Sequence, residues 1–336
     1  MKSIRSTSVL LTLALMAALL ASCSSQSDES QTLTIYSGRS EEFIAPFLAE
    51  FASESGVTLD VRYGDSAALA AQILEEGENS PADIFLSQDA GALGALGSEG
   101  LIAPLSPTVL SRVDDSYRSR AGDWVGITGR ARVFAYAPDR VSQLPQSIDD
   151  LVDASWRGRI GIAPTNSSFQ AFITAFIQAN GEAAAENWLT AIKKNDPQIF
   201  EKNSQIVEAI DAGQIDLGLV NHYYLWEVSE ELGREINAEI GFFQSGDIGN
   251  LINVSGAALL KTSKRTDHAT ALISFLLSDD IQQRFVRDTH EYSLVLSALQ
   301  PEGLPALRDV KAPAVDLSTL SDLRRTQALL IKVGLI

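Results

Sequence analysis

From residue 32 onward the chain alternates short apolar runs with longer stretches whose apolar residues recur every three or four positions. Leu33-Thr34-Ile35-Tyr36 reads as a strand closed by Ser37-Gly38-Arg39-Ser40. Phe43, Phe47, Leu48 and Phe51 then mark one face of a helix. Residues 57–61 give a second strand, and Gly64-Asp65-Ser66 opens a helix through Leu69, Ile73 and Leu74. Ile84-Phe85-Leu86 is a buried strand between Ser80-Pro81-Ala82-Asp83 and Ser87-Gln88-Asp89. Alternating strands and helices predict a largely parallel sheet, in which ligands meet the carboxyl ends of the strands. By that rule Arg39, Ser66 and Gln88 stand beside one cleft.

A long extended segment follows over residues 124–136 and contains Gly129-Arg130-Ala131-Arg132. A second α/β unit begins at residues 157–162. It passes through Pro164-Thr165-Asn166-Ser167-Ser168-Phe169 into an apolar helix that stops at Asn180-Gly181. Phe200-Glu201-Lys202-Asn203-Ser204 opens another helix, and residues 213–220 supply a strand. Residues 252–260 are extended and return the chain to the first unit, and residues 269–277 and 281–287 are helical. Asn166, Ser167 and Ser168 lie between a strand and a helix start. There, free backbone N–H groups either hold an anion or are capped by these same side chains.

The first residues are of another kind. Lys2 and Arg5 precede an uncharged apolar run over residues 9–21, closed by Leu20-Ala21-Ser22-Cys23. This is a secretory signal with a bacterial lipobox, too short to span a membrane comfortably and ending in small residues as a cleavage site does. Residues 1–22 are expected to be removed, Cys23 to be lipidated, and residues 23–31 to form a polar tether. Cys23 is the only cysteine, so no intramolecular disulfide forms even though export would allow one. Cleavage removes two basic residues and no acid, taking the formal net charge from −17 to −19. So acidic a surface argues against nucleic acid and against anionic lipid headgroups as partners. The remaining length suits two domains.

The candidate chemistry lies at Asn221-His222-Tyr223-Tyr224, between the apolar run Leu217-Gly218-Leu219-Val220 and a helical pattern ending at Gly233. Asn221 is expected to cap that helix. In a strand the two tyrosines would point to opposite faces, but at a helix start both phenols can reach one point. Two phenolates are hard donors suited to a hard cation such as Fe(III). A tyrosine pair is also ordinary packing where one end is apolar and the other wet. His222, His268 and His290 share no metal-ligand spacing, and His222 is expected to point outward. No nucleophile–base arrangement and no glycine-rich phosphate loop stands out, so a binding protein is expected rather than an enzyme.

Several landmarks then fall in one order: Tyr36-Ser37-Gly38, Ser80-Pro81-Ala82-Asp83-Ile84-Phe85, Gly129-Arg130-Ala131-Arg132-Val133, Trp156-Arg157-Gly158-Arg159, Asn221-His222-Tyr223-Tyr224 and Val254-Ser255-Gly256-Ala257. From about Thr32 to the C-terminal helices the chain resembles the ferric-iron substrate-binding proteins of bacterial ABC importers, the bacterial transferrin-like family. The resemblance implies an α/β, two-lobed periplasmic-binding-protein fold of type II. Residues 32–131 plus 257–336 would form the first lobe and 137–252 the second, with hinge crossings at 132–136 and 253–256. It further implies Fe(III) in the cleft on Tyr223 and Tyr224, with carbonate or phosphate as a synergistic anion. The partners implied are an ABC permease and its ATPase. The protein would be a monomer in the cell envelope, in the periplasm or on the outer face of the cytoplasmic membrane.

The chain departs from that family at three positions. Arg39 stands where many members place a histidine ligand, Gln88 where many place a glutamate, and Phe169 where others add a third tyrosine. An octahedral ion has about six positions, so two phenolates leave about four for exogenous donors. Arg39 and Arg130 are expected to hold the anion through guanidinium hydrogen bonds. Gln88, Asn166, Ser167, Ser168, Asn203 and Asn221 are expected as neutral contacts. Two rival functions remain on the same fold. One is a solute-binding protein for an anion or small organic ligand, phosphonate or thiamine-like, and the other is a sensor domain.

Overall fold

The computed structural model describes residues 32–295, 299–310 and 312–336. The expected signal peptide, Cys23 and the tether lie outside the described residues. The first unit runs β1 (Thr32–Ser37), α1 (Glu41–Ser55), β2 (Thr58–Tyr63), α2 (Ser66–Glu76), β3 (Ile84–Ser87) and α3 (Ala90–Ser98). β2 and β3 both pair with β1 in parallel. Local chemistry sets the helix ends. Asp65 caps α2 by accepting the amides of Ala67 and Ala68 at 2.9 and 3.0 Å, and Gly56 ends α1 with φ 71°.

β4 (Trp124–Tyr136) is the long extended segment. Beyond it come β5 (Ile160–Ile162), α4 (Ser167–Asn180), α5 (Glu182–Lys194), β6 (Gln198–Ile199), α6 (Asn203–Asp211), β7 (Leu217–Asn221), α7 (Tyr224–Leu232) and β8 (Glu239–Gly241). β9 (Ile252–Leu259), α8 (Thr266–Leu276), α9 (Asp279–Thr289), β10 (Tyr292–Ser293) and α10 (Leu323–Val333) complete the chain. The strand order is β2-β1-β3-β9-β4-β7-β5-β6.

β4 serves both lobes. From Trp124 to Ala131 it pairs with β9, and from Arg132 to Tyr136 it pairs with β7. The change of sheet therefore falls between Ala131 and Arg132. The expected crossing at 132–136 already belongs to the second-lobe sheet. Likewise 253–256 lies inside the first-lobe sheet, because β9 hydrogen-bonds to β4 from Ile252 onward.

The C-terminus also departs from expectation. The expected first lobe includes residues 257–336, of which β9 and β10 join the first sheet through β4. The turn at Leu317–Ser321 still rests on α3, so closely that a Cβ on Gly94 would sit 1.9 Å from the Ser318 carbonyl oxygen. α10, however, lies on α4 and α5 of the second lobe. Its Thr326 hydroxyl meets Thr174 at 2.7 Å, its Leu329 and Leu330 are buried, and Lys332 pairs with Glu186 at 2.7 Å. An amphipathic helix goes where an uncovered apolar face is available, and α4 and α5 supply one. A large apolar cluster runs from Leu33 and Ile35 through Phe85 and Val125 to Phe172 and Leu189. A smaller one at the seam contains Ala131, Val133, Ile206 and Val220.

Candidate functional site

β7 delivers its last residues to the seam. Asn221 is the final strand residue, opposite Arg132, and so does not cap α7 as expected. Tyr223 occupies the N-cap position in helical conformation (φ −69°, ψ −16°), with no side-chain cap. Tyr224 is the first helical residue. The two rings lie 4.5 Å apart at 31° and both are half-buried, so both phenols sit on one side of the helix start. Burial, and then the neighbouring Tyr223 phenol, push the Tyr224 hydroxyl well above the usual tyrosine range.

Between strand and helix, His222 is fully buried rather than outward-pointing. Its Nδ1 accepts the Ala131 amide at 3.1 Å and its Nε2 meets the His290 carbonyl at 2.7 Å. These partners fix the neutral tautomer with the proton on Nε2. Burial pushes its pKa down to about 4.

Tyr224 bonds to Asn203, which is itself fully buried at the start of α6. Asn203 donates to Ser168 Oγ at 3.0 Å and to Asn166 Oδ1 at 3.2 Å. Asn166 also accepts from the Ser168 amide and hydroxyl, at 3.0 and 2.6 Å, so its side chain is occupied in capping α4. Arg132 completes this network. It donates to Ser168 Oγ at 3.1 Å, Asn203 Oδ1 at 3.4 Å and the Leu219 carbonyl at 2.8 Å. Beneath it lie the rings of Phe169 and Phe172, at 5.7 and 6.0 Å from the guanidinium carbon. Phe169, a departure from the resembled family, is therefore core. Burial pulls the Arg132 guanidinium down to about 9, which leaves it charged at neutral pH.

Arg130 lies across the seam and donates to the Gln88 carbonyl. Neither Arg130 nor Arg132 pairs with a carboxylate among the described residues, and the Nε of each is buried without a partner. Both line a cavity of about 30 Å³. Gln88 and Asp89 wall it on the first lobe, Ser167, Ser168 and Asn221 on the second, and Leu251 and Asn253 at the seam. The structure thus brings together every expected anion contact except three. Asn166 and Asn203 stand behind the cavity wall, and Arg39 is elsewhere.

Arg39 is the correction among the arginines. Its two terminal nitrogens each donate to Glu291 at 3.0 Å, and both residues are buried, 4% and 1% exposed. The guanidinium also stacks on Phe43. A bidentate pair uses the same fork that an anion would need. Two cavity residues were missed from sequence, Arg132 and Asp89, and so was Glu291, the partner that takes Arg39 out of the site. The spacing of Arg130 and Arg132 was an available signal, because residues two apart in a strand share a face.

Two α/β lobes sharing one strand, with a phenol pair and unpaired guanidiniums facing a common seam, define a two-lobed solute-binding protein. The family model described as bacterial extracellular solute-binding protein matches residues 79–316, and the chain belongs to that family. The Fe(3+)-binding periplasmic protein of Serratia marcescens is 32% identical over 310 residues, covering 91% of each chain. Iron-bound HitA from Pseudomonas aeruginosa matches with a TM-score of 0.82 at 34% identity, over 90% of this chain and 99% of its own. Trichodesmium FutA, solved with iron and citrate, gives 0.78 at 26% identity over 90% and 99%.

Proposed function

We propose that this protein captures Fe(III) between its lobes and delivers it to an ABC permease, with Tyr223 and Tyr224 as phenolate ligands and a small oxyanion as co-ligand. The observation that carries the reading is the pairing of two phenol rings 4.5 Å apart with two buried guanidiniums that form no salt bridge among the described residues. Among the described residues no three His, Cys, Asp or Glu side chains are grouped to hold a metal ion. Ferric ion at this site would therefore rely on phenolate and exogenous oxygen. Two phenolates leave one positive charge on Fe(III). An oxyanion seated on Arg130 and Arg132 would offset it while donating oxygen to the metal. The named relatives support the same cargo, since one is called Fe(3+)-binding and another was solved with iron.

The test is addition of ferric citrate to iron-free protein, with metal analysis and an absorption spectrum. A visible phenolate-to-iron band at one iron per chain is expected. Anion binding without iron or colour would transfer the reading to an anion carrier. The same proposal places the chain at the envelope through a lipid on Cys23. Cys23→Ser should lose fatty-acid labelling and leave the membrane fraction, and unchanged labelling would remove the anchor from the proposal.

A further inference from the structure

The loop between α9 and β10 leaves the first lobe and touches the second through His290. β10 pairs with Thr128 and Gly129 in the first-lobe half of β4, and Glu291 is tied to Arg39 in that lobe. His290 precedes them and meets three residues of the second lobe. Its carbonyl accepts from His222 Nε2 at 2.7 Å, its ring stacks on Trp226 at 4.9 Å and 11°, and its Nε2 lies 3.3 Å from Glu230. His222, Trp226 and Glu230 are four apart, so they form one stripe along α7 and its entry.

The backbone makes the choice of residue informative. His290 ends α9 in the left-handed region, with φ 53° and ψ 17°. Glycine is the usual residue there, because a Cβ is disfavoured in that conformation. A histidine at this helix end costs local stability, and such an outlier marks a side chain held for another purpose. The stacking and hydrogen-bond partners of its ring, Trp226 and Glu230, both lie on the other lobe.

The stripe works as a lever. His222 sits at the pivot, where β4 changes sheet: its amide donates to the Ala131 carbonyl at 3.1 Å and its Nδ1 accepts the Ala131 amide at 3.1 Å. Trp226 and Glu230 lie farther out, about 6 and 12 Å along the helix axis. A domain rotation of about 15° would shift the outer contacts by up to about 3 Å and barely disturb the inner one. The contacts are made in a structure whose lobes stand close, with Gln88 and Asp89 on one and Ser167 and Ser168 on the other walling a cavity of about 30 Å³. They therefore belong to the closed arrangement. The stack is the stronger of the outer two, because the Glu230 side chain is 72% exposed and its pairing is screened.

We infer that His290 is an interlobe latch: stacked on Trp226, it holds the lobes together without a ligand and yields when α7 swings away about Ala131. α7 is also the helix that opens with Tyr223 and Tyr224, so the latch sets how that pair faces the first lobe. The latch needs neither iron nor an anion and stands apart from the proposed cargo.

The test compares iron-free proteins by small-angle scattering and chemical denaturation. His290→Gly suits the left-handed backbone and keeps the carbonyl that His222 meets. Relief of that backbone offsets the lost stack, so its denaturation midpoint should stay near the wild-type value while its radius of gyration rises. Trp226→Leu removes the same stack from the other side and should expand the protein equally, and the double variant should expand it no further. Should His290→Gly fail to fold, His290→Asn, which also tolerates the left-handed region, takes its place. Equal radii for the wild type and both stack variants overturn the latch, as does a variant that loses stability without expanding. Expansion by Glu230→Gln but not by the stack variants overturns it too. Because no iron is present, failure of the ferric reading leaves this result standing.

Discussion

Arg39 and Glu291 lie 252 residues apart in sequence and meet through two parallel hydrogen bonds of 3.0 Å in the interior of the first lobe. Thr128 donates to the same carboxylate at 2.5 Å and contacts Ser255 at 2.6 Å. The pair therefore ties the end of β1 and the α9–β10 loop to the two strands that lead to the seam. Its role is framework, and its removal should be read as stability.

Glu291→Gln leaves the Arg39 guanidinium buried against a neutral amide, and breaking such a pair costs about 3–5 kcal/mol. Chemical denaturation should show that loss, while ferric colour per folded molecule stays unchanged. Burial alone would raise the Glu291 carboxyl, but the Arg39 charge and hydrogen bonds overcome it and hold it below the usual range. Its contribution is thus present above the unfolded glutamate pKa of about 4.3 and lost as pH falls through the folded value. An Arg39→Met protein of normal stability that no longer retains iron would return Arg39 to the site.

His222 gives a second pH signature in a different window. In the unfolded chain it takes up a proton near about 6.5, and in the fold only near about 4. The folded pKa is depressed. Stability present above about pH 6.5 is therefore lost as pH falls toward the folded value, by up to about 3 kcal/mol. Protonation would put a hydrogen on Nδ1, where the Ala131 amide already donates. His222→Gln can accept and donate but cannot titrate, so its iron-free protein should lack this slope. Superimposable stability curves for the two proteins between those pH values would remove His222 as the cause.

Much of this was legible in the chain, and the misses share a cause. The thirteen residues of β4 are an unbroken extended run, and the Tyr223–Tyr224 pair stands at an evident strand-to-helix change. What local pattern does not carry is the partner. Arg39 reads as a free cation until Glu291 arrives from the far end of the sequence. Asn221 has a capping side chain, but pairing with Arg132 keeps it in the strand. Arg132 falls in a stretch expected as hinge, and only the turn of β4 from one sheet to the other makes it the deepest cation of the site. The periodicity of α10 marks one apolar face without saying which lobe it covers.

That last point is open to test. If α10 is part of the second lobe, shortening its buried Leu330 should destabilise the lobe that carries the tyrosines. Leu330 is fully buried, and Leu330→Ala should cost about 2–5 kcal/mol. Hydrogen exchange should show the weakening in α4 and α5 and leave β1 to β3 protected. Faster exchange confined to α1 and α2 would put the helix energetically with the first lobe.

The tyrosines themselves set the sharpest test. A phenol ordinarily titrates at about 10, and burial, then the neighbouring Tyr223 phenol, push the Tyr224 hydroxyl further up. Ferric binding through both oxygens must therefore release about two protons per ion. Apparent affinity should fall by about two decades for each unit of pH lowered while both remain protonated in the free protein. Tyr223→Phe and Tyr224→Phe keep the ring contact at 4.5 Å and delete only the donor oxygens, so the fold should be unaffected. Each single variant should lose most of the visible band, and the double variant all of it. Arg130→Gln should retain the band at saturating iron but release the ion faster, because the anion is held less firmly while the phenolates remain. Proton release measured by titration in weak buffer, alongside the colour, separates phenolate binding from adventitious iron at surface carboxylates. Those carboxylates are already ionised and release no protons. A double Tyr→Phe protein with wild-type affinity and colour would end the assignment.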